Sequence, residues 1–120
     1  MNSTTTMEQT TASVSTDRRT HKRYRLAAPI SVQSGDRPAI PAMTLEISEG
    51  GLSAVLAFPV NLGDTVQLGP IAAGMVTAQV RHNVGRIYGF QFLQISEAQI
   101  KKLREDCTRL PLFFPNHMSI

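Results

Sequence analysis

The chain has 120 residues, enough for one domain with a tail and a modest core. Some 42% are apolar, Trp is absent and aromatics make up only 6%, so aliphatic side chains have to build that core. The formal charge of +3 is mild but uneven: six of the twelve Lys and Arg lie between Arg18 and Arg37, a local cluster that points to an anionic partner. No apolar run approaches the ~20 residues that a bilayer span needs. The N-terminus lacks the basic stretch and apolar core of a secretory signal. Cys107 is the single cysteine, which excludes an intramolecular disulfide and a CxxC pair. It reads as a small apolar residue on a helix face, and a reducing, cytoplasmic location fits.

Thr and Ser dominate residues 1–16, with almost nothing to bury. Burial there cannot offset the entropy of ordering, so this stretch reads as a disordered tail. Arg18-Arg19-Thr20-His21-Lys22-Arg23-Tyr24-Arg25 follows. As it stands, it fits either a solvated lead-in to the first strand or an arm that meets an anion. Leu26 to Gln33 alternates as a half-buried strand does, with Pro29 suited to its start or to an edge. Ser34 to Pro38 is a turn cluster. Ala39 to Ile47 makes a second strand with Ile40, Ala42 or Met43, Leu45 and Ile47 as its apolar set, interrupted by Pro41.

Ser48, Glu49, Gly50 and Gly51 then separate two apolar runs. Paired glycines open backbone angles closed to other residues and permit close approach of a second molecule. A turn Ser bonds the local backbone or a ligand. The same residues also fit an ordinary hairpin turn.

Gly51 to Ala57 is the third strand, Asn61 to Asp64 a turn, and Thr65 to Leu68 a short fourth strand. A break at Gly69-Pro70 and Gly74 leads to Met75–Val84, where Val76, Ala78, Val80 and His82 share one side. Gly85-Arg86 closes a hairpin into Ile87–Leu93, where Tyr88, Phe90 and Phe92 alternate. Short connections throughout predict an all-β domain, an antiparallel sheet closed into a small barrel. Ser96 and Gln99 have capping-box spacing. Ile100, Leu103, Cys107 and Leu110 form one helical stripe, Lys101, Lys102, Arg104, Glu105 and Asp106 face away, and Pro111 ends the helix. Residues 96–110 thus read as a C-terminal helix over the barrel, followed by an apolar tail, Leu112-Phe113-Phe114-Pro115, that docks back on the barrel or meets a partner.

No catalytic constellation stands out, and the expectation is a protein that is not an enzyme. The three histidines, His21, His82 and His117, are scattered, with no metal-ligand spacing. No Gly-rich phosphate loop follows a strand and opens a helix. Glu46 and Glu49 flank the turn with no sign of the cleft that acid-base work requires. A nucleic-acid-binding barrel would need aromatics spaced for base stacking, whereas the Tyr88, Phe90 and Phe92 spacing marks a core face.

Arg19 and Arg23 stand in an RxxxR pattern just before the first barrel strand. About two dozen residues later, Glu46-Ile47-Ser48-Glu49-Gly50-Gly51 reads as D/N-x-S-x-x-G with Glu in first place. Together with Arg23-Tyr24-Arg25-Leu26, Leu52-Ser53, Asn61-Leu62-Gly63-Asp64, Val80-Arg81 and Tyr88-Gly89-Phe90-Gln91-Phe92, this order resembles the PilZ domain family over residues 17–108. The resemblance implies a six-stranded antiparallel barrel over residues 26–93 and a receptor for the bacterial second messenger cyclic di-GMP. The chain would then be an adaptor that changes its surface on binding to regulate a protein partner. Residues 17–25 would be the ligand-binding arm.

Carried over by residue, Arg19 and Arg23 would clamp phosphates and guanine faces. Ser48 would supply a hydroxyl and backbone contacts. Gly51, with Gly50, would allow close approach, and Arg18 would steer the anion. No cofactor or metal is implied. These residue types suit the chemistry, since a guanidinium forks onto a phosphate or guanine O6 and N7 and stacks on a base. Glu46 departs from the pattern. It keeps a carboxylate able to accept from guanine N1 and N2 but shifts the acceptor by on the order of 1 Å, which should weaken binding by about 1–2 kcal/mol. The same departure keeps open a degenerate PilZ-like module that contacts proteins without binding nucleotide.

Overall fold

The structure, a computed structural model, describes residues 22–112. The N-terminal tail, Arg18, Arg19 and His21, and the segment from Phe113 on lie outside the described residues. In chain order the elements are β1 (Tyr24–Arg25), β2 (Pro29–Ser34), β3 (Ile40–Ile47), β4 (Gly51–Leu56), β5 (Thr65–Ile71), β6 (Gly74–Val84), β7 (Ile87–Phe92) and α1 (Glu97–Cys107). All pairings are antiparallel, in the order β1-β3-β2-β5-β6-β7-β4, and a ladder between β3 and β4 closes the ring. Strands β2 to β7 therefore make a closed six-stranded barrel, and β1 continues the β2 side of β3. Closure removes the open edges that would otherwise template aggregation.

The inward positions are aliphatic, as the composition requires, with Val32, Leu56, Val66, Leu68 and Val80 almost fully buried. Each such side chain contributes about 1.5–3 kcal/mol relative to exposure. Tyr88, Phe90 and Phe92 all point into this core, as their alternation predicts.

Strand β3 departs from its predicted face. Thr44 opposes Ala54 while Glu46 opposes Ser53, so Leu45 is an extra residue in the ladder. Such a bulge flips the side-chain parity of everything beyond it. Ile40, Ala42 and Thr44 point inward before the bulge and Ile47 after it. Met43 and Leu45, both candidates for the apolar set, are 45% and 39% exposed instead. Pro41 does not break the strand; it pairs with Ser31, and its carbonyl accepts from Ala57 N.

Two further expectations are corrected in the same way. A register shift between Val80 and His82 turns His82 out of the core set on β6. Strand β5 runs past Leu68 to Ile71 because Gly69, at φ +138°, takes up an irregularity that other residues rarely adopt.

The first predicted strand also starts late, at Pro29 rather than Leu26, and a separate two-residue strand forms upstream at Tyr24–Arg25. Leu26, Ala27 and Ala28 leave the ladder, and buried Thr44 holds them. Its Oγ1 donates to Leu26 O at 2.6 Å and accepts from Ala28 N at 2.9 Å, while Thr44 N donates to Ala28 O at 2.9 Å. Sequence periodicity could not place a hydroxyl in the core, since burial of Thr is tolerable only when its hydrogen bonds are made.

Helix α1 opens on the expected capping box: Ser96 Oγ accepts from Gln99 N, and Gln99 Oε1 accepts from Ser96 N. It ends at Cys107, with Thr108 as cap, before Pro111 is reached. Leu103 and Cys107 are its buried residues. The chain then returns to β1, where Arg25 N donates to Pro111 O at 2.8 Å and Leu112 bridges Tyr24.

Thr44→Val preserves shape while stranding the Ala28 N–H and the Leu26 carbonyl. Urea unfolding should show a loss of about 1–3 kcal/mol. An unchanged midpoint would mean that the hydroxyl contributes nothing.

Candidate ligand-binding site

Two stretches far apart in sequence meet at the end of β3. Tyr24 pairs with Ile47 and Arg25 with Glu46, so the basic run is laid against the start of the Ser-Gly hairpin. Arg23 Nη1 lies 3.9 Å from Glu46 Oε1, with the two side chains 47% and 19% exposed. At that distance the contact is an ion pair without a hydrogen bond, and half-exposed pairs of this kind contribute little to stability. Glu46 Oε1 is buried and makes no hydrogen bond among the described residues. Its other oxygen accepts from Ser53 Oγ at 3.3 Å. Glu46 is also the only carboxylate in the seven strands.

The hairpin is tight. Ser48 N donates to Gly51 O at 2.8 Å, which leaves Glu49 and Gly50 as the two-residue loop. Ser48 Oγ accepts from Gly50 N at 3.1 Å, so the hydroxyl organises the loop. Gly50 O accepts from Phe92 N at 2.9 Å. At Gly51, a Cβ would stand 2.0 Å from Phe90 O on the neighbouring strand. Barrel closure therefore demands glycine here, whatever else approaches the site.

Helix α1 supplies the third wall. Arg104 Nε lies 3.1 Å from Glu49 Oε2, across 55 residues of sequence. Arg104 thus reaches the hairpin, where the helical stripe predicted only an outward charge. Burial, then Asp106, then Glu49 push the Cys107 thiol from 9.0 up to about 11.

The structure brings together Arg23, Glu46, Ser48, Gly50 and Gly51; Arg18 and Arg19 lie outside the described residues. Sequence reading missed Ser53 and Arg104 as neighbours of the site. Ser53 carries a faint signal, standing on the outward phase of β4, but its partner emerges only once the Leu45 bulge sets the register. For Arg104 no spacing gives a signal.

The structure is thus a small closed barrel with one helix, and a basic arm is laid beside its Ser-Gly hairpin. The PilZ domain profile matches residues 17–109. The chain belongs to the PilZ domain family, whose members are cyclic di-GMP receptor and adaptor domains rather than enzymes. Among solved structures, the Bacillus subtilis inhibitor of motility (MotI/DgrA) is similar at TM-score 0.63 and 22% identity, over 77% of this chain and 50% of that one. The chain therefore spans about half the length of that motility inhibitor. The PilZ domain of Escherichia coli YcgR, solved with c-di-GMP, matches at TM-score 0.56 and 20% identity over 78% and 91% of the two chains. The PilZ domain of CeSA from a cellulose-synthesizing bacterium matches at 0.59 and 16%, over 72% and 94%. These likenesses establish the fold. Comparison with curated protein sequences finds no match. No helix among the described residues is long and apolar enough to cross a membrane.

Gly51→Ala should be severely destabilising without any ligand, by about 3 kcal/mol or more, because the obstacle is strand backbone rather than a movable side chain. Thermal unfolding measures this, and a midpoint near the parent's would refute it. For Cys107, the unfolded thiol ionises at lower pH than the folded one. Its contribution to stability is whole below pH 9 and drains away as pH rises from 9 toward about 11. Unfolding midpoints between these limits should fall more steeply for the parent than for Cys107→Ala; parallel curves would contradict the shift.

Proposed function

We propose that the chain is a cyclic di-GMP receptor that acts as an adaptor toward a protein partner. The observation that carries this reading is the pairing of β1 with the end of β3, which sets Arg23 beside Glu46 and the Ser48–Gly51 hairpin. In the proposed complex, Arg19 and Arg23 fork onto phosphate oxygens and guanine edges. Glu46 accepts from guanine N1 and N2. The Ser48 hydroxyl and the backbone of Gly50 and Gly51 border the ligand, and Arg18 steers it. Arg23 exchanges its loose contact with Glu46 for a phosphate, and Ser53 keeps Glu46 in place while it does so. A ligand seated beside β1, which is already paired with β3, changes the outer surface there.

An adaptor needs a surface to show. Met43, Val55, Ile87 and Val84 form one outward row of cross-strand partners over β3, β4, β7 and β6. Three of the four are well exposed, Val84 at 76%. The adjacent row is Glu46, Ser53, Gly89 and His82. An apolar row beside the ligand row supports a partner that senses the ligand. The fold likeness to a motility inhibitor and to YcgR bound to c-di-GMP supports the same reading.

A second reading has one observation in its favour. Glu46 stands where the family pattern has Asp or Asn, and its carboxylate already faces Arg23. A protein-interaction module without nucleotide would carry that pair as a permanent contact.

Isothermal titration of the folded chain with cyclic di-GMP separates the two. The receptor reading expects binding by the parent, none by Arg23→Ala, and tighter binding by Glu46→Asp. A folded parent that gives no saturable binding would overturn it in favour of the interaction module.

A further inference from the structure

We infer that Arg104 of α1 is a further arginine of the ligand site, kept in place beside the hairpin by Glu49. This inference rests on the cyclic di-GMP reading and adds to it a residue from outside both sequence motifs. Glu49 is the first residue of the two-residue loop between Ser48 and Gly51, so its carboxylate stands on the segment assigned to the ligand. The Arg104 contact uses Nε, at 3.1 Å from Glu49 Oε2. The two terminal nitrogens of Arg104 make no hydrogen bond among the described residues, and the side chain is 64% exposed. Burial of Leu103 and Cys107, on either side along the same helix, fixes the point from which Arg104 reaches out.

This arrangement solves an electrostatic problem. Cyclic di-GMP is a dianion, and a bare carboxylate on the receiving hairpin would repel it. Pairing through Nε neutralises Glu49 while leaving the opposite edge of the guanidinium, with its terminal N–H groups, able to fork onto a phosphate. Lysine would not serve both roles, because an ammonium has no such two-sided geometry.

The competing role for Arg104 is a plain tether between helix and hairpin. Titration with cyclic di-GMP of the parent, Arg104→Gln, Glu49→Gln, the double variant and Arg104→Lys distinguishes the two, with thermal midpoints run alongside. Arg104→Gln should bind about ten-fold more weakly, the scale of one charge-assisted hydrogen bond. Glu49→Gln should bind as well as the parent or better. The double variant should remain clearly weaker than Glu49→Gln, since the phosphate contact is still missing. Arg104→Lys, which keeps charge and fold, should recover only part of the loss.

Equal affinities for Glu49→Gln and the double variant would overturn the inference, reducing Arg104 to a neutraliser. Parent-like binding by Arg104→Gln would overturn it too, with the receptor reading intact. A parent that does not bind would end the receptor reading and this inference with it.

Discussion

At Glu46 and Ile47, β3 is paired on both edges, with Arg25 and Tyr24 of β1 on one side and with Ser53 and Leu52 of β4 on the other. Backbone groups in the middle of a sheet have to be satisfied on both sides, so these two residues fix where both neighbours lie. Ile47 anchors the point by burial, at 1% exposure. The bulge at Leu45 decides the rest. Without the extra residue, keeping Thr44 in the core would turn Ile47 outward, and the carboxylate of Glu46 would face the barrel interior. With it, Ile47 is inside, and Glu46 meets Ser53 and Arg23 on the outer wall. The geometry of the site follows from this one insertion.

Electrostatics sharpens the consequence. The strands carry a single carboxylate, and it stands where the basic arm enters the sheet. The second carboxylate of the site, Glu49, is on the loop, where the helix answers it with Arg104. Both acidic groups therefore have a basic neighbour, one from the chain before the barrel and one from the chain after it. The hairpin is the place where the two ends of the domain are compared. Pro111 and Leu112 reinforce this, since the chain beyond the helix bonds back to β1 beside the same residues.

Much of the fold was legible in the sequence because aliphatic alternation and short turns are local signals. The barrel, its helix, the capping box and the inward Tyr88, Phe90 and Phe92 all follow from them. What was not legible depends on register. Bulges at Leu45 and before His82 reverse faces without leaving a compositional mark, and the core hydroxyl of Thr44 makes sense only once its partners at Leu26 and Ala28 are in place. The site divides along the same line. Arg23 and the Ser48–Gly51 hairpin were marked by residue type and order, whereas Ser53 and Arg104 join them through contacts between distant segments.

Gly51 gives a recognition motif two separate meanings. Its missing side chain makes room for the Phe90 carbonyl on the next strand, a need that exists with or without nucleotide. A domain with this strand contact and no nucleotide ligand would still have to retain the glycine in order to fold. The glycine therefore testifies to ancestry and architecture, while testimony about signalling has to come from positions the barrel could spare. Arg23, half-exposed and held among the described residues by a loose contact, is such a position; a family member without nucleotide binding could drift there long before its hairpin changed.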